Sequence, residues 1–373
     1  MRLKYFIIPL LVLLALSDIS FAQGEAGGFL RRNEMSVGAS FRTWSSANNE
    51  RISEWILPVV YILPLNNRLT FDLMNAPTFA SLNTASAGLR GLTDTRIRAS
   101  YLMMEEKLLL TAGLSLPTGN SRLEAEEWVV ASALSMNALD FAVPSLGQGL
   151  DLKLSAAYAQ QVGGIVLGGG FGYLRKGSFK PFAENEYDYN PGDEITFSLG
   201  GDKNIPFGIN NLRISGDMTY TIYGNDVFNN QEVFRSGNKL LLEVRSLYKS
   251  QPYNLLLYLR NRSKGKNQRG LGSLADEALN SNGNQLETGG IGYFPLNDRL
   301  QVKALLDGRI YSRNEDKSNG AAILGIGSGL VYTLSERMLL DSQLKFLKGS
   351  LKNKSGSLGV TGFEIGASLQ FKL

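Results

Sequence analysis

The stretch GLTDTRIRASYLMMEEKLLLTAGLSLPTGN, Gly91 to Asn120, alternates on both sides of a short polar turn. Ile97, Ala99 and Tyr101 are interleaved with Arg96, Arg98 and Ser100, and past Met104-Glu105-Glu106 the period resumes with Leu108, Leu110, Ala112, Leu114 and Leu116. A period of two places the two sets on opposite faces of a strand. In a soluble sheet the arginines would meet water and the apolar face a core. In an outer-membrane barrel the apolar face meets lipid and the arginines line a lumen. The rest of the chain has to choose between these two solvents.

Segments of the same character recur at 34–44, 53–63, 68–75, 93–103, 107–116, 149–160, 163–175, 193–202, 210–223, 237–248, 253–263, 285–294, 299–312, 320–333, 338–348 and 360–373. Most have the length that a tilted crossing of the hydrocarbon layer needs, roughly 9–11 residues. The links after the even-numbered segments are short, as at Pro64-Leu65-Asn66-Asn67, Met104-Glu105-Glu106 and Pro295-Leu296-Asn297-Asp298. Those after the odd-numbered segments are mostly long and polar: 76–92, 117–148, 176–192, 224–236 and 264–284. A soluble sandwich has no reason to sort its links by parity, whereas a barrel with short periplasmic turns and long extracellular loops does. The expectation is an all-β, antiparallel outer-membrane barrel of 14–16 strands, sixteen by this count, with both ends of the barrel on the short-turn side.

The N-terminus is consistent with export. Arg2 and Lys4 precede the apolar run Phe6–Leu16, and Ser20 and Ala22 stand at −3 and −1 of a cut before Gln23. That pattern predicts a signal peptide over 1–22, the run being too short to span a bilayer as a helix. A short periplasmic segment, 23–33, then leads into a single barrel domain over 34–373. A terminal strand ending Phe371-Lys372-Leu373 resembles the signal read by the barrel-assembly machinery, which usually ends in an aromatic residue.

Composition removes several functions. The chain has neither histidine nor cysteine, so it offers no Ser-His or Cys-His nucleophile pair, no imidazole or thiolate metal site and no disulfide. No catalytic residue, metal or cofactor is expected. A net charge of +4 over 373 residues lacks the concentrated basic face of a nucleic-acid binder. Gly168-Gly169-Gly170 and Gly325, Gly327 and Gly329 do not lead from strand into helix and are not followed by Lys-Ser/Thr, so they are strand glycines rather than phosphate loops.

If the apolar set faces lipid, the lumen receives Arg42, Arg96, Arg98, Asp151, Lys153, Glu194, Arg213, Asp217, Glu243, Arg245, Arg260, Lys303, Asp307, Arg309, Asp341, Lys345, Glu364 and Lys372. Turning an Arg or Lys toward hydrocarbon at midplane would cost about 2–4 kcal/mol. Such charges either pair across strands and stiffen the wall or line a polar path. Arg96, Arg98, Arg245 and Arg260 are candidate constriction residues, with Glu243, Asp307 and Arg309 beside them. In the longest loop, 117–148, the run Arg122–Leu139 reads as helix. Its Leu123, Trp128, Val129, Leu134, Met136 and Leu139 would be costly to leave exposed. The loop is expected to fold over or into the barrel mouth, as a packed lid or as a shallow hydrophobic groove. A second small helix is expected at Ser273–Leu279.

Gly91-Leu92-Thr93-Asp94, Arg96-Ile97-Arg98-Ala99-Ser100-Tyr101 and Leu114-Ser115-Leu116-Pro117-Thr118-Gly119 together resemble one family. It is the outer-membrane transporter-like group named for the meta-pathway of phenol degradation, related to the long-chain fatty-acid transporter barrels. Its members carry a Gly-Leu-Gly-Asp strand start and a strand ending in Leu-Pro-Thr-Gly; Thr93 stands here for the second glycine. The resemblance covers about thirty residues and implies passive uptake of small hydrophobic or aromatic compounds. The loop 117–148 is similar in position to the substrate-gathering loop of the fatty-acid transporters. Their N-terminal hatch has no counterpart beyond Gln23–Asn33, and Asn75-Ala76-Pro77 departs from their Asn-Pro-Ala motif. A general diffusion porin, or a barrel serving as an anchor for a protein partner, are the alternatives. Oligomeric state is not specified by the sequence.

Overall fold

The computed structural model describes residues 33–207, 210–250 and 253–373. The signal peptide expected over 1–22, and the segment 23–33 apart from Asn33, lie outside the described residues.

Each alternating segment forms a strand. They are β1 (Glu34–Ser46), β2 (Arg51–Ile56 and Val59–Pro64), β3 (Leu69–Asn75 and Thr78–Leu82), β4 (Leu89–Gly91 and Thr95–Met103), β5 (Leu108–Leu116), β6 (Asp151–Val162), β7 (Ile165–Arg175) and β8 (Glu194–Phe207). There follow β9 (Asn210–Tyr223), β10 (Lys239–Lys249), β11 (Asn254–Lys264), β12 (Gln285–Pro295), β13 (Leu300–Tyr311), β14 (Gly320–Ser335), β15 (Met338–Asn353) and β16 (Gly356–Lys372). Each pairs antiparallel with the next, and β16 pairs with β1 from Lys372↔Glu34 to Val360↔Ser46. The result is a closed antiparallel barrel of sixteen strands with no free edge, the arrangement that satisfies every strand's backbone polar groups in lipid.

The outer face carries the apolar set. Ile310, Leu324 and Ile326 are 60–65% exposed, which is tolerable only against hydrocarbon. Near the short-turn rim Tyr248, Tyr253 and Phe294 stack in sequence at 5.9 and 6.2 Å between ring centres, part of the aromatic girdle expected at a bilayer interface. Two of the short turns repeat one device. Asn66 Oδ1 accepts the N–H groups of Arg68 and Leu69, and Asn297 Oδ1 accepts those of Arg299 and Leu300, all at 2.8–2.9 Å.

Several boundaries differ from the sequence reading. Nearly half of the link expected over 76–92 is strand, because β3 continues past Ala76-Pro77 to Leu82 and β4 begins at Leu89. Pro58 and Pro77 cannot donate, yet Gly38 N–H donates to Pro58 O and Leu57 N–H to Pro77 O, so the wall stays closed. β15 and β16 run beyond 348 and 360 and meet at Lys354-Ser355, leaving no long loop there. The helix expected over Arg122–Leu139 is shorter, α1 (Ala125–Leu134). Ser273–Leu279 is not helical: Leu274–Asp276 pairs as a strand with Gln268–Gly270. That pair belongs to a five-stranded sheet built from the long loops, with Tyr189–Asn190, Asn225–Phe228 and Gln231–Arg235. Cross-strand pairing there overrides the local helix preference.

Candidate functional site

The loop between β5 and β6 enters the barrel and is strapped at its neck to β4. The register of β4 against β3 shifts by one residue between Gly91 and Thr95, which turns Asp94 toward the loop. Asp94 Oδ1 accepts the Gly119 N–H at 3.0 Å and Oδ2 the Gln148 N–H at 2.7 Å, so one carboxylate holds both ends of the loop. The Asp94 N–H donates to Leu146 O, and Thr118 Oγ1 accepts the Thr95 N–H. A Cβ at Gly119 would lie 2.1 Å from Leu146 O, so only glycine fits the crossing. The family-like motifs at 91–94 and 116–119 are, in physical terms, the two halves of this neck.

Inside, the loop is seated on β1–β4 and β13–β16, with Ala80 of β3 and Leu89 of β4 in the same buried cluster. Val130, Leu134, Leu139 and Leu146 pack with inward-facing Trp44, Ile52, Ile56, Ile323, Leu347 and Val360 in one buried cluster. Trp44 Nε1 donates to Leu139 O at 2.9 Å. The buried Glu54 carboxylate accepts the Ala142 and Val143 N–H groups, each at 3.0 Å. Asp140 lies 3.1 Å from both Arg42 and Arg309, and Arg309 also donates to Ala138 O at 3.1 Å. Arg42 pairs in turn with Glu364, and Arg309 with Asp307 at 3.2 Å. Lys345 stands 3.8 Å from both Asp307 and Glu364. Within this network the Arg309 side chain is only 4% exposed.

Across the lumen, on β8–β12, the charges pair sideways along the wall. Arg213 meets Asp202 at 2.7 Å. Glu243 is held between Arg245 and Arg260, the latter at 2.9 Å, and Arg260 continues to Glu287 at 3.5 Å. Arg262 donates to Gln285, and the Tyr311 hydroxyl donates to Glu287. The side chains of Arg213, Arg245 and Arg260 remain 22–28% exposed. On β4, Arg98 pairs with Asp72 at 2.7 Å, while Arg96 is exposed on the same face.

The candidate constriction residues therefore divide. Glu243, Arg245 and Arg260 form one chain on the loop-free wall, Arg96 and Arg98 lie on β4, and Asp307 and Arg309 belong to the loop seat. Of the loop residues, Leu123, Leu134 and Leu139 are buried, whereas Val129 and Met136 are about half exposed. Trp128 stacks on Phe182 at 5.6 Å. The buried ones fill the loop seat rather than line a groove. Sequence reasoning missed Asp72, Asp140, Asp202 and Glu287, all partners of basic residues it named, and Glu54, which accepts two loop N–H groups. It also missed the seat, although Ile52, Ile56, Ile323 and Val360 are apolar at lumen-facing positions, a signal that something dry covers them.

The other long loops roof the mouth. Trp128, Phe182, Phe228 and Tyr187 form a chain of ring contacts 5.6–6.3 Å apart. Glu186 ties the loops together through Lys180 and Arg122, whose hydrogen bonds hold its carboxyl below the usual carboxylate range. Burial, and then the Asp226 carboxylate that accepts its hydroxyl, push the Tyr189 phenol up. Among the described residues no group of three or more acidic side chains is arranged to hold a metal ion.

No protein-family model matches the chain, and no curated protein matches it. Solved structures with a similar course include a triple mutant of Rhodopseudomonas blastica porin, 12% identical over 90% of this chain and 99% of that one, with a TM-score of 0.40. Pseudomonas aeruginosa OccK2 (OpdF) is 9% identical over 93% of this chain and 100% of that one, also at 0.40. The barrel assignment rests on the strand pairing described above and not on these likenesses.

Proposed function

We propose that the protein is a porin-type channel of the outer membrane that passes small polar and charged solutes through a lumen narrowed by the loop at 117–150. The observation that carries this reading is the chain Asp202–Arg213 and Arg245–Glu243–Arg260–Glu287 on the wall opposite the loop seat, whose arginines stay partly exposed. Fixed charges of both signs along a water-accessible wall replace part of an ion's hydration and exclude apolar solutes. No chemistry is asked of the protein beyond this.

The expected outcome in planar bilayers is stable ohmic conductance that scales with salt, together with liposome permeability to small sugars and amino acids. Electrical silence, with saturable binding of an aromatic compound, would overturn the reading. That result belongs to the second reading, uptake of hydrophobic or aromatic compounds. It is favoured by the motif resemblance at 91–119 and by the roof rings, of which Tyr187 is 48% exposed.

A further inference from the structure

A cavity of about 540 Å³ opens at the outer rim of the barrel, away from the lumen, above β9, β10 and β11. Its floor is a continuous row on the lipid-facing side. Tyr220 is paired with Leu240, and Leu240 with Ser263, so the three side chains stand next to one another across three strands. They are close to the last residues before the loops at 224–238 and 265–284, which puts them at the extracellular interface. The roof comes from those loops and carries Arg235, Lys266, Asn238 and Gln268.

The charges on that roof are poorly neutralised. Among the described residues no carboxylate pairs with Arg235 or Lys266; Lys266 donates only to Ala278 O, at 2.9 Å. The one acidic lining residue, Asp276, accepts the Gln268 amide at 2.9 Å. The cation of Lys264 turns the other way, to 5.6 Å from the Tyr223 ring on the lumen side. Asn238 Nδ2 donates to the Tyr220 hydroxyl at 2.9 Å, joining floor to roof.

A cavity whose lipid-facing floor offers the Tyr220 ring and Leu240, under a cationic, hydrogen-bonding roof at headgroup height, suits an amphiphile with an anionic head. We infer that this rim pocket binds a phosphorylated lipid of the outer leaflet, its phosphate on Arg235 and Lys266 and the start of its acyl region along Tyr220 and Leu240. A soluble anion would gain the cations but would leave Tyr220 and Leu240 facing bulk lipid with nothing in register. The site lies outside the lumen, so it is independent of the channel reading.

The test uses the detergent-purified full chain and native mass spectrometry, with three probes: bis-phosphorylated lipid A, phosphatidylethanolamine and inorganic phosphate. The wild type should retain lipid A in preference to phosphatidylethanolamine, and millimolar inorganic phosphate should not displace it. Arg235→Ala/Lys266→Ala should weaken retention roughly thirtyfold, the loss expected for two cations at an anionic surface. Arg235→Lys/Lys266→Arg should keep it, and the heat-dependent gel shift of a folded barrel should be the same in all three proteins. Equal retention by the folded double-alanine variant, equal binding of phosphatidylethanolamine, or displacement by free phosphate would each overturn the inference.

Discussion

The two halves of the inner wall use the same alternation for different ends. On β1, β2 and β13–β16, inward charges meet the loop: Glu54 is capped by loop N–H groups, and Arg42 and Arg309 grip Asp140 above a dry cluster around Trp44. On β8–β12 the charges pair with their neighbours along the wall, and their arginines keep part of their surface open. Buried polar groups must be paired and are costly to disturb. On the second wall the carboxylates Asp202 and Glu243 are buried too, but the open arginine sides let solvent screen the pairs, which lowers their contribution. One half is therefore built to hold the loop and the other to face what passes.

The contrast is broken most severely by Trp44→Ala. Deleting a buried tryptophan costs about 3–5 kcal/mol, so chemical denaturation should start earlier and single-channel conductance should rise as the loop loses its seat. Asp94→Ala comes next: two loop N–H groups lose their acceptor at a neck open to solvent, where each bond contributes about 0.5–1.5 kcal/mol, felt by the loop rather than by the barrel. The expected readout is noisy, enlarged open states at nearly unchanged barrel stability. Arg260→Gln should cost about 1–2 kcal/mol, a charge-assisted hydrogen bond reduced by solvent on the arginine side, since the buried Glu243 keeps Arg245. It should nonetheless shift the reversal potential toward cations.

The smallest effect is expected at the roof. The carboxyl of Glu186 is held below its ordinary value, so its pairing with Lys180 and Arg122 is complete above the unfolded pKa and is lost as pH falls through the lower folded one. Conductance that responds to acid only below the usual carboxylate range, and not in Glu186→Gln, would show this. A response near neutrality would place the titrating group elsewhere.

The barrel was legible because a period of two and sorted links are properties of the chain itself. Strand ends were less so. Lys352-Asn353-Lys354-Ser355-Gly356 reads as loop by composition, yet the β15–β16 hairpin continues through it, since pairing beyond the bilayer needs no apolar residues. The facing of Arg245, Arg260 and Arg309 followed from alternation. Their partners did not, because Glu243–Arg260 and Arg309–Asp140 depend on register between strands and on a loop 169 residues away in sequence from Arg309. The inserted loop was readable only in part: its apolar content required cover, but the cover was an inward apolar patch spread over seven strands.

Cysteine accessibility tests the division of the wall most directly, because the chain has no cysteine of its own. Ser198→Cys places a thiol on the lumen face of β8, and Ala321→Cys places one on β14, where the native side chain is fully buried. With a bulky, membrane-impermeant thiol reagent, Ser198→Cys is predicted to label quickly and lose current, while Ala321→Cys stays unlabelled and conducts. Rapid labelling and block at Ala321→Cys, with Ser198→Cys protected, would contradict the account.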